Sequence, residues 1–473
     1  MTGDRNVVLV CLDAVRKDYF DEYAPRLRAM ADVSYEQCRA ASGWSVPSHA
    51  SVMTGELPSE HGIHVYNRDF SGLTRADTFL GDLPDHRATG VSANAYASSA
   101  FGFDRMFDDY SDVSPQCRFP EGINVIRFGQ ESEKRGVARY VDFLRAAATH
   151  EHPLASLANG ALVQVDRALA RLPVPKPLDD GANIVSRHAV RAAREGPEPF
   201  FVFTNFMDVH APLTNVLGYD DDLHDASNTW SSAAFDTDEV NYGGKLEEHL
   251  AEIETHRGLY AAAVDYLDRK VAAAIERIEE ATDRETTFVI TADHGEHLGF
   301  PADDGLFGHR GPLTEGLLHV PLEVINAPDG ESFVETGYVS HLDLGDLVVG
   351  LANGAVPDVA RRRIAAERVG SNVPGGADLT AEQREYWDRM VRCVYDGDRK
   401  VSWNSAGDRT EYELDPERPC WQRAVRDGVA VAAYEREFFD APIDEAKRAA
   451  REARREVEVD AATADRLREL GYR

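Results

Sequence analysis

Three stretches of the chain end in side chains that could bind a metal ion. These side chains are Asp13, then Asp208 and His210, and finally Asp293 and His294. Carboxylate oxygens and neutral imidazole nitrogens together suit Ca²⁺, Mn²⁺, Mg²⁺ or Zn²⁺ without selecting one of them. Each residue alone is commonly a turn residue, but the recurrence of this pattern after three strand-like runs favours a common divalent-cation site.

A serine that could act as a nucleophile lies in residues 43–55. Pro47 is well tolerated in the first turn of a helix and restricts the preceding residue to extended backbone, so Ser45 is predicted at the entry to a helix that stops at Gly55. Unpaired N–H groups at a helix entry favour an anion. The alternative is that Ser45 is only a helix N-cap, which is the commoner use of serine.

The residues of this candidate site follow apolar runs that predict buried strands. Strands are predicted at residues 7–12, 88–94, 200–206, 286–291 and 320–325, and the longest helix at residues 246–282. Alternating strands and helices are typical of a mainly parallel sheet covered on both faces, and the carboxyl ends of its strands meet at one edge. We therefore predict a mixed, mainly parallel α/β sheet flanked by helices, with the site at that edge.

The chain becomes more charged, with shorter elements, after about residue 361. Residues 400–403 and 411–414 alternate as an antiparallel hairpin would, and residues 444–455 resemble a charged surface helix. We predict a catalytic α/β domain at residues 1–355 and a small C-terminal α+β subdomain of hairpin and helix at residues 356–473.

The composition narrows the class of partner. The formal net charge of the 473-residue chain is −31, and only seven of its 51 basic residues are Lys. Such a surface repels nucleic acid and anionic lipid, so no nucleic-acid partner is expected. The acidic, lysine-poor balance resembles that of halophilic microbes. The cysteines are scattered, and the sequence shows neither a signal-peptide pattern nor an apolar stretch long enough to span a bilayer. We therefore predict a cytoplasmic protein without stable membrane insertion. The oligomeric state is left open.

Five segments together resemble the sulfatase family of the alkaline phosphatase superfamily. They are residues 12–16, 44–55, 205–212, 291–296 and 308–311. The resemblance implies an alkaline-phosphatase-like catalytic domain and one divalent metal ion, with Ca²⁺ favoured and Mn²⁺, Mg²⁺ or Zn²⁺ possible. The implied metal ligands are Asp13, Ser45, Asp293 and His294. A second metal bound by Asp208, His210 and His309 is the alternative.

The resemblance also implies roles around the substrate. His210 and His309 would bind the anionic group, and one of them would protonate the leaving oxygen. We further predict substrate binding by His49, Asn94 and Arg310. The substrate would be a small sulfate or phosphate ester of a sugar, lipid or aryl group.

Two positions depart from the usual pattern of the family. Sulfatases usually carry Cys-x-Pro-x-Arg, or a serine version, whose first residue is oxidised to formylglycine; here His49 stands at the arginine position, so the modification of Ser45 is open. Ala14 follows Asp13 where members often have a second aspartate. A single metal with a hydroxyl nucleophile is more similar to the lipoteichoic-acid-synthase and phosphoethanolamine-transferase relatives, which move phosphoryl groups.

The predicted function is metal-dependent hydrolysis of a sulfate ester through Ser45, either as the covalent nucleophile or as a hydrated aldehyde. The alternative is a phosphatase, phosphodiesterase or phosphotransferase that uses unmodified Ser45, because sulfuryl and phosphoryl transfer share an in-line geometry. A non-catalytic binding protein on the same fold is the third hypothesis.

Overall fold

The structure, a computed structural model, describes residues 5–114, 117–132, 134, 136–169, 172–371, 373 and 379–470. Its strands are β1 (Asn6–Leu12), β2 (Ala31–Arg39), β3 (Arg87–Ser92), β4 (Asp109–Asp112), β5 (Phe200–Phe206), β6 (Thr286–Thr291), β7 (His297–Leu298), β8 (Phe307–Gly308), β9 (Leu322–Ile325), β10 (Phe333–Ser340), β11 (Arg363–Arg368), β12 (Val391–Asp396), β13 (Arg399–Asn404), β14 (Arg409–Leu414) and β15 (Gln422–Asp427).

Helices connect most of these strands. They are α1 (Lys17–Tyr23), α2 (Pro25–Met30), α3 (Ser45–Thr54), α4 (Pro58–His61), α5 (Val125–Glu131), α6 (Val137–Thr149), α7 (Pro153–Leu169), α8 (Ala182–Glu195), α9 (Thr237–Asn241), α10 (Leu250–Glu279), α11 (Glu315–Leu318), α12 (Leu344–Ala352), α13 (Ala381–Trp387), α14 (Ala432–Phe438), α15 (Ile443–Glu452) and α16 (Ala461–Glu469). Short 3₁₀ turns precede several of them.

Eight strands form the main sheet, in the order β10-β2-β9-β6-β1-β5-β3-β4. Only β9 runs against its neighbours, and every other pairing in this sheet is parallel. The predicted mixed, mainly parallel sheet is therefore confirmed. Since the parallel strands point the same way, the segments that follow β1, β3, β5 and β6 all emerge at one edge.

The centre of the sheet is buried on both faces. All seven residues of β1 are buried, and so are all those of β5 and β6. Parallel strands covered on both sides read as near-continuous apolar runs, which is why the sequence located β5 and β6 with their observed bounds. β2 is partly exposed along its length, and neither β2 nor β10 was predicted.

The longest helix, α10, has 30 residues and follows a 3₁₀ turn at Leu246–His249. It packs against α8, α1 and α2 on one face of the sheet. Its buried side includes Leu259, Leu267 and Ile275, at helical spacing. None of the helices in the described ranges combines the length and apolarity that crossing a membrane requires.

A second sheet of five antiparallel strands, in the order β11-β12-β13-β14-β15, follows the main one in the chain. The predicted hairpin is present as β13 and β14, which pair in the middle of this sheet. The C-terminal part therefore contains a complete sheet in addition to the hairpin and helix. Ile364 and Tyr395 join the same buried cluster as the main sheet, and the domain boundary between residues 355 and 356 stays a prediction.

One buried carboxyl group in the main sheet predicts a pH-dependent stability. Glu323 in β9 is fully buried, and neither of its side-chain oxygens has a hydrogen-bond partner in the described part of the chain. Burial raises the pKa of Glu323 to about 7, although the nearby hydroxyl of Ser34 and then the charge of Lys17 oppose this shift. Glu36 and Asp21 lie near enough to disfavour its ionisation further. Below about pH 7 the folded protein therefore holds Glu323 as the neutral acid.

We expect the Glu323→Gln variant to gain stability over the wild type as the pH rises. The unfolded chain releases this proton near pH 4.5, whereas the folded protein keeps it until about pH 7. The wild type therefore loses stability across this window, and the loss is complete above it. A shift of this size corresponds to roughly 3 kcal/mol. Urea unfolding at about pH 5 and about pH 8 measures the difference.

The control for this comparison is Glu331→Gln, which removes an exposed carboxylate close in sequence. If both variants gain the same stability, the gain is due to the change in net charge and not to the buried position of Glu323. A Glu323→Gln gain that is the same at both pH values would contradict the burial of an ionisable group at this position.

Candidate active site

The carboxyl edge of the main sheet collects most of the predicted site residues. Asp13 follows β1, Asn94 follows β3, Asp208 and His210 follow β5, and Asp293 and His294 follow β6. Ser45 begins α3, whose residues from Ser45 to Met53 are all buried. Asp13, Ser45, Asp293 and His294 come together at this edge, as the contacts described below show.

Two buried carboxylates face one another in the middle of this site. One ligand atom each from Asp13, Asp293 and His294 lies within 4.8 Å of the others. Asp13 accepts a 2.6 Å hydrogen bond from Asn94 through Oδ2, and Asp293 accepts the backbone N–H groups of Ala14 and His294 through Oδ1. Oδ1 of Asp13 and Oδ2 of Asp293 have no hydrogen-bond partner within the described ranges.

The electrostatics of this pair favour a cation. Burial, and then the charge of Asp293, raise the pKa of Asp13 well above its ordinary value. Burial also acts to raise the pKa of Asp293, but His294 and His49 outweigh it and hold that pKa below its ordinary value. Two ionised carboxylates cannot lie so close without a positive partner. The two orphaned oxygens therefore fit a divalent metal ion.

His294 presents a nitrogen lone pair to the same point. Its Nδ1 lies 2.7 Å from the carbonyl oxygen of Gly295, so the ring proton is on Nδ1. Nε2 is then an acceptor, and it lies 3.3 Å from Ser45 Oγ and 3.5 Å from Asp293 Oδ2. A second partner that fixes the tautomer in this way is typical of metal-binding histidines.

Ser45 is held at the entry of α3 by the residues around it. Trp44 precedes it in extended conformation, and α3 ends at Gly55 with a φ of 74°, which a glycine adopts readily. The helix therefore begins and stops where the sequence predicts. The first backbone N–H groups of α3 lack helical partners, and they favour negative charge beside Ser45 Oγ.

His49, at the position of the family arginine, lies against the backbone of Ser45. Its Nδ1 donates to the carbonyl oxygen of Ser45 at 2.7 Å, and its Nε2 accepts from Asn205 at 2.9 Å. Burial lowers the pKa of His49. The ring is therefore neutral and bonded at both nitrogens, and it brings no fixed positive charge to this position.

His210 and His309 form a cluster of rings with His294. The ring of His309 lies 5.2 Å from that of His294 and 5.5 Å from that of His210. Burial and the neighbouring His309 lower the pKa of His210 to about 4, and burial and His294 lower that of His309 well below its ordinary value. Glu296, whose pKa burial raises to about 7, lies 3.5 Å from His309 Nδ1.

The other predicted residues have different surroundings. Asn94 donates to Asp13 and so supports the carboxylate pair directly. Arg310 pairs with Asp238 at 2.9 Å. Asp208 accepts from the backbone of Asp180, and it forms no ligand group with His210 and His309 in the part of the chain that the structure describes. Substrate binding by His49, Asn94 and Arg310 stays a prediction.

Sequence reasoning missed two residues of this edge. Asn205 is the penultimate residue of β5 and bonds to His49. Glu296 follows Asp293 and His294 in the chain and lies beside His309. Both residues were within segments that carried the family resemblance. The rule that polar residues at strand ends build sites would have found Asn205, and the acidic residue after a metal-binding pair would have drawn attention to Glu296.

Comparisons with known proteins identify the family of the chain. The Sulfatase family model matches residues 5–355. The curated sulfatase YidJ of Escherichia coli K12, described as uncharacterized, is 24% identical over 173 residues, which are 34% of this chain and 33% of that protein. The chain thus matches about a third of the length of this relative.

Solved structures share the fold at low sequence identity. The phosphonate monoester hydrolase SpPMH from Silicibacter pomeroyi has a TM-score of 0.58 at 16% identity, over 86% of this chain and 89% of its own. BT1596, a 2-O glycosaminoglycan sulfatase, has a TM-score of 0.56 at 13% identity, over 97% and 96%. Because the family match spans most of the chain, this protein belongs to the sulfatase family.

Proposed function

We propose that this protein cleaves a sulfate ester through Ser45, with one divalent metal ion held by Asp13, Ser45, Asp293 and His294. The observation that carries the proposal is the position of Ser45 Oγ, 3.3 Å from His294 Nε2 at the start of α3. This position joins a nucleophile, a carboxylate and imidazole cluster and a helix N-terminus. Such a combination suits transfer of an anionic group.

The reaction proceeds by displacement at sulfur. Ser45 Oγ gives its proton to water and forms a bond to the sulfur atom, while the bond from sulfur to the alcohol oxygen breaks. Water then attacks the sulfated serine and releases sulfate, which restores the hydroxyl. If Ser45 is oxidised to formylglycine, one oxygen of the hydrated aldehyde attacks in its place.

The metal ion fits the orphaned oxygens of Asp13 and Asp293. When bound, a divalent cation lowers the pKa of a neighbouring hydroxyl and offsets charge on the transferring group. Ca²⁺ is the ion we propose, and Mn²⁺, Mg²⁺ and Zn²⁺ suit the same donor set. Asn94 keeps the Asp13 carboxylate in place through its 2.6 Å bond.

His309 or His210 supplies the proton to the leaving alcohol. Both rings are neutral without a ligand, because burial lowers both pKa values, with His309 adding to the effect on His210 and His294 adding to the effect on His309. An anionic ester next to them favours the charged form and raises their pKa values. The imidazole can then act as general acid near neutral pH.

A phosphoester or phosphonate substrate is the second candidate. The observation that favours it is the neutral His49, whose two nitrogens are bonded to Ser45 and Asn205, where sulfatases usually place arginine. A hydroxyl nucleophile without the arginine is a pattern of the phosphoryl-transferring relatives. The fold likeness to a phosphonate monoester hydrolase is compatible with this candidate but does not select it.

The assay conditions follow from composition. The acidic, lysine-poor chain supports a protein that works at high salt. Its five cysteines are buried and unpaired, which supports a reducing, cytoplasmic location. Substrates of low charge, such as esters of a single sugar, a lipid or an aryl group, suit this surface better than anionic polymers. Whether the protein forms oligomers does not enter the proposal.

Paired assays of 4-nitrophenyl sulfate and 4-nitrophenyl phosphate test the function. They are run at high salt with Ca²⁺, Mn²⁺ or Zn²⁺ in separate arms, and the Ser45 peptide is weighed by mass spectrometry. Preferred turnover of the sulfate ester supports the sulfatase function. Phosphatase activity alone with an unmodified Ser45 replaces it with the second candidate, and turnover of neither ester contradicts both for aryl substrates.

The two histidines give a more specific prediction. We expect His309→Ala or His210→Ala to reduce kcat about 10²-fold or more on phenyl sulfate, and much less on 4-nitrophenyl sulfate. A poor leaving group needs the proton, whereas nitrophenolate leaves without it. His188→Ala, at a partly buried histidine of α8, is the control. Full activity of both single variants on phenyl sulfate would show that neither histidine is the general acid.

A further inference from the structure

A buried arginine from the second sheet holds the segment that carries His309. Arg368, the last residue of β11, is only 3% exposed. Its guanidinium donates to the carbonyl oxygen of His309 at 2.6 Å and to that of Gly311 at 3.4 Å. A side chain at Gly311 would begin 3.0 Å from the ring of Trp387, so the segment is packed tightly against the C-terminal part.

Arg368 differs from Arg392, another buried arginine of the second sheet. Arg392, on the neighbouring strand β12, pairs with the buried Glu367 at 2.7 Å. Arg368 pairs with no carboxylate of the described residues. Burial lowers the pKa of Arg368 to about 9, and the nearby charges of Arg389 and Arg310 act in the same direction. It is therefore still charged at neutral pH. A buried charge without a partner is costly, so a structural role alone would be served better by a neutral side chain.

A second buried cation bonds the same segment further along. Lys400 of β13 is fully buried, and its Nζ donates to the carbonyl oxygen of Leu313 at 3.0 Å and to Glu315 at 2.9 Å. Residues 309–315 are thus bonded to side chains from two strands of the second sheet. The family match ends at residue 355, before either strand begins.

We propose that Arg368 is a positioning residue of the active site, which fixes the His309 imidazole from the second sheet. The inference rests on the proposed role of His309 in ester hydrolysis. Arginine suits this task because its planar fork can bond two carbonyl oxygens at once, which a lysine cannot do in the same geometry. The second sheet is accordingly part of the catalytic apparatus, because its Arg368 holds the segment that carries His309.

The first test measures the order of the segment without reference to activity. Hydrogen–deuterium exchange is followed in peptides covering residues 307–314 of the full-length protein. Arg368→Gln raises exchange there about tenfold or more, because the two carbonyls lose their donor. Arg392→Gln is the matched control, since it removes a buried arginine of the same sheet that bonds elsewhere. Equal exchange in the wild type and Arg368→Gln overturns the proposal.

The second test asks whether Arg368 acts through His309. Arg368→Gln lowers kcat about tenfold or more on phenyl sulfate, with a change of less than about threefold in KM and little effect on 4-nitrophenyl sulfate. The double variant Arg368→Gln/His309→Ala loses no more activity than His309→Ala alone, because both changes remove the same function. Multiplicative losses, or equal losses on both esters, overturn the proposal.

Three further outcomes distinguish failure of the inference from failure of the proposed function. If Arg368→Gln does not fold, both tests are made with Arg368→Lys. The proposal is overturned if this variant has the hydrogen–deuterium exchange of the wild type and the same ratio of kcat between phenyl sulfate and 4-nitrophenyl sulfate. If the wild type hydrolyses neither ester, the proposed function fails, while the exchange measurement still decides whether Arg368 orders the His309 segment. If the wild type is active and the exchange is unchanged, the inference fails and the proposed function stands.

Discussion

Replacement of Ser45 by alanine abolishes turnover of both sulfate and phosphate esters, while the protein stays folded. Ser45 Oγ is buried and faces His294 Nε2 at 3.3 Å. Because alanine fits the space of the serine, the loss of turnover is due to removal of the nucleophile and not to altered packing. We expect kcat/KM to fall about 10⁴-fold or more, as it does when a covalent nucleophile is removed. Single-turnover assays with 4-nitrophenyl esters measure the change.

Ser51→Ala is the matched control for this experiment. Ser51 lies near the other end of the same helix and is equally buried. Its hydroxyl oxygen lies 3.1 Å from Nε2 of His61 in α4. This variant retains turnover if the effect at Ser45 is specific. The mass of the Ser45 peptide, taken from the same preparation, tells whether serine or formylglycine does the chemistry. Ser45→Ala with residual turnover of both esters would contradict the mechanism.

The Asp293→Asn variant loses the metal ion, and activity with it. Within the Asp13–Asp293 pair, Asp13 Oδ1 and Asp293 Oδ2 have no hydrogen-bond partner in the described ranges, and the amide that replaces Asp293 is a weaker ligand. In metal-free buffer, the variant is as stable as the wild type or more so, because Asp13 no longer faces a second carboxylate. Metal content per chain and thermal unfolding measure both effects.

Added Ca²⁺ increases the difference in stability between the wild type and Asp293→Asn. At a Ca²⁺ concentration about 100 times Kd, binding stabilises the wild type by about 2.7 kcal/mol, and Asp293→Asn gains little. Asp208→Asn is the control, because Asp208 bonds to the backbone of Asp180 and lies outside the ligand group. Unchanged metal content in Asp293→Asn would contradict the proposed ligands. A loss of metal in Asp208→Asn would point to a second ion.

The sequence predicts those parts of the fold whose residues are buried in a regular pattern. β5 and β6 were located with their observed bounds, since strands covered on both faces are nearly continuous apolar runs. β2 was missed because it is partly exposed and carries polar residues along its length. The five strands of the second sheet were reduced to one hairpin, since only β13 and β14 alternate clearly enough to be recognised.

The candidate site was predictable as a set of residues and much less so as a set of contacts. Asp13, Asp293 and His294 follow neighbouring parallel strands, and such ends meet at one edge whatever the details. The bond from Asn94 to Asp13 depends on the side-chain torsions of both residues, which no pattern in the chain encodes. Arg368 lies far along the chain from His309, and only the packing of the second sheet brings them together.

The order of strands in the main sheet has a consequence for synthesis of the protein on the ribosome. β1 pairs with β5 and β6, and therefore its partners are made long after it. At ordinary rates of translation, about 15 to 60 s pass between the appearance of β1 and that of β6. Until β5 appears, the apolar strand β1 has neither neighbour, and until β6 appears it has only one. During this time the nascent chain depends on chaperones or on transient local contacts to keep β1 from aggregating.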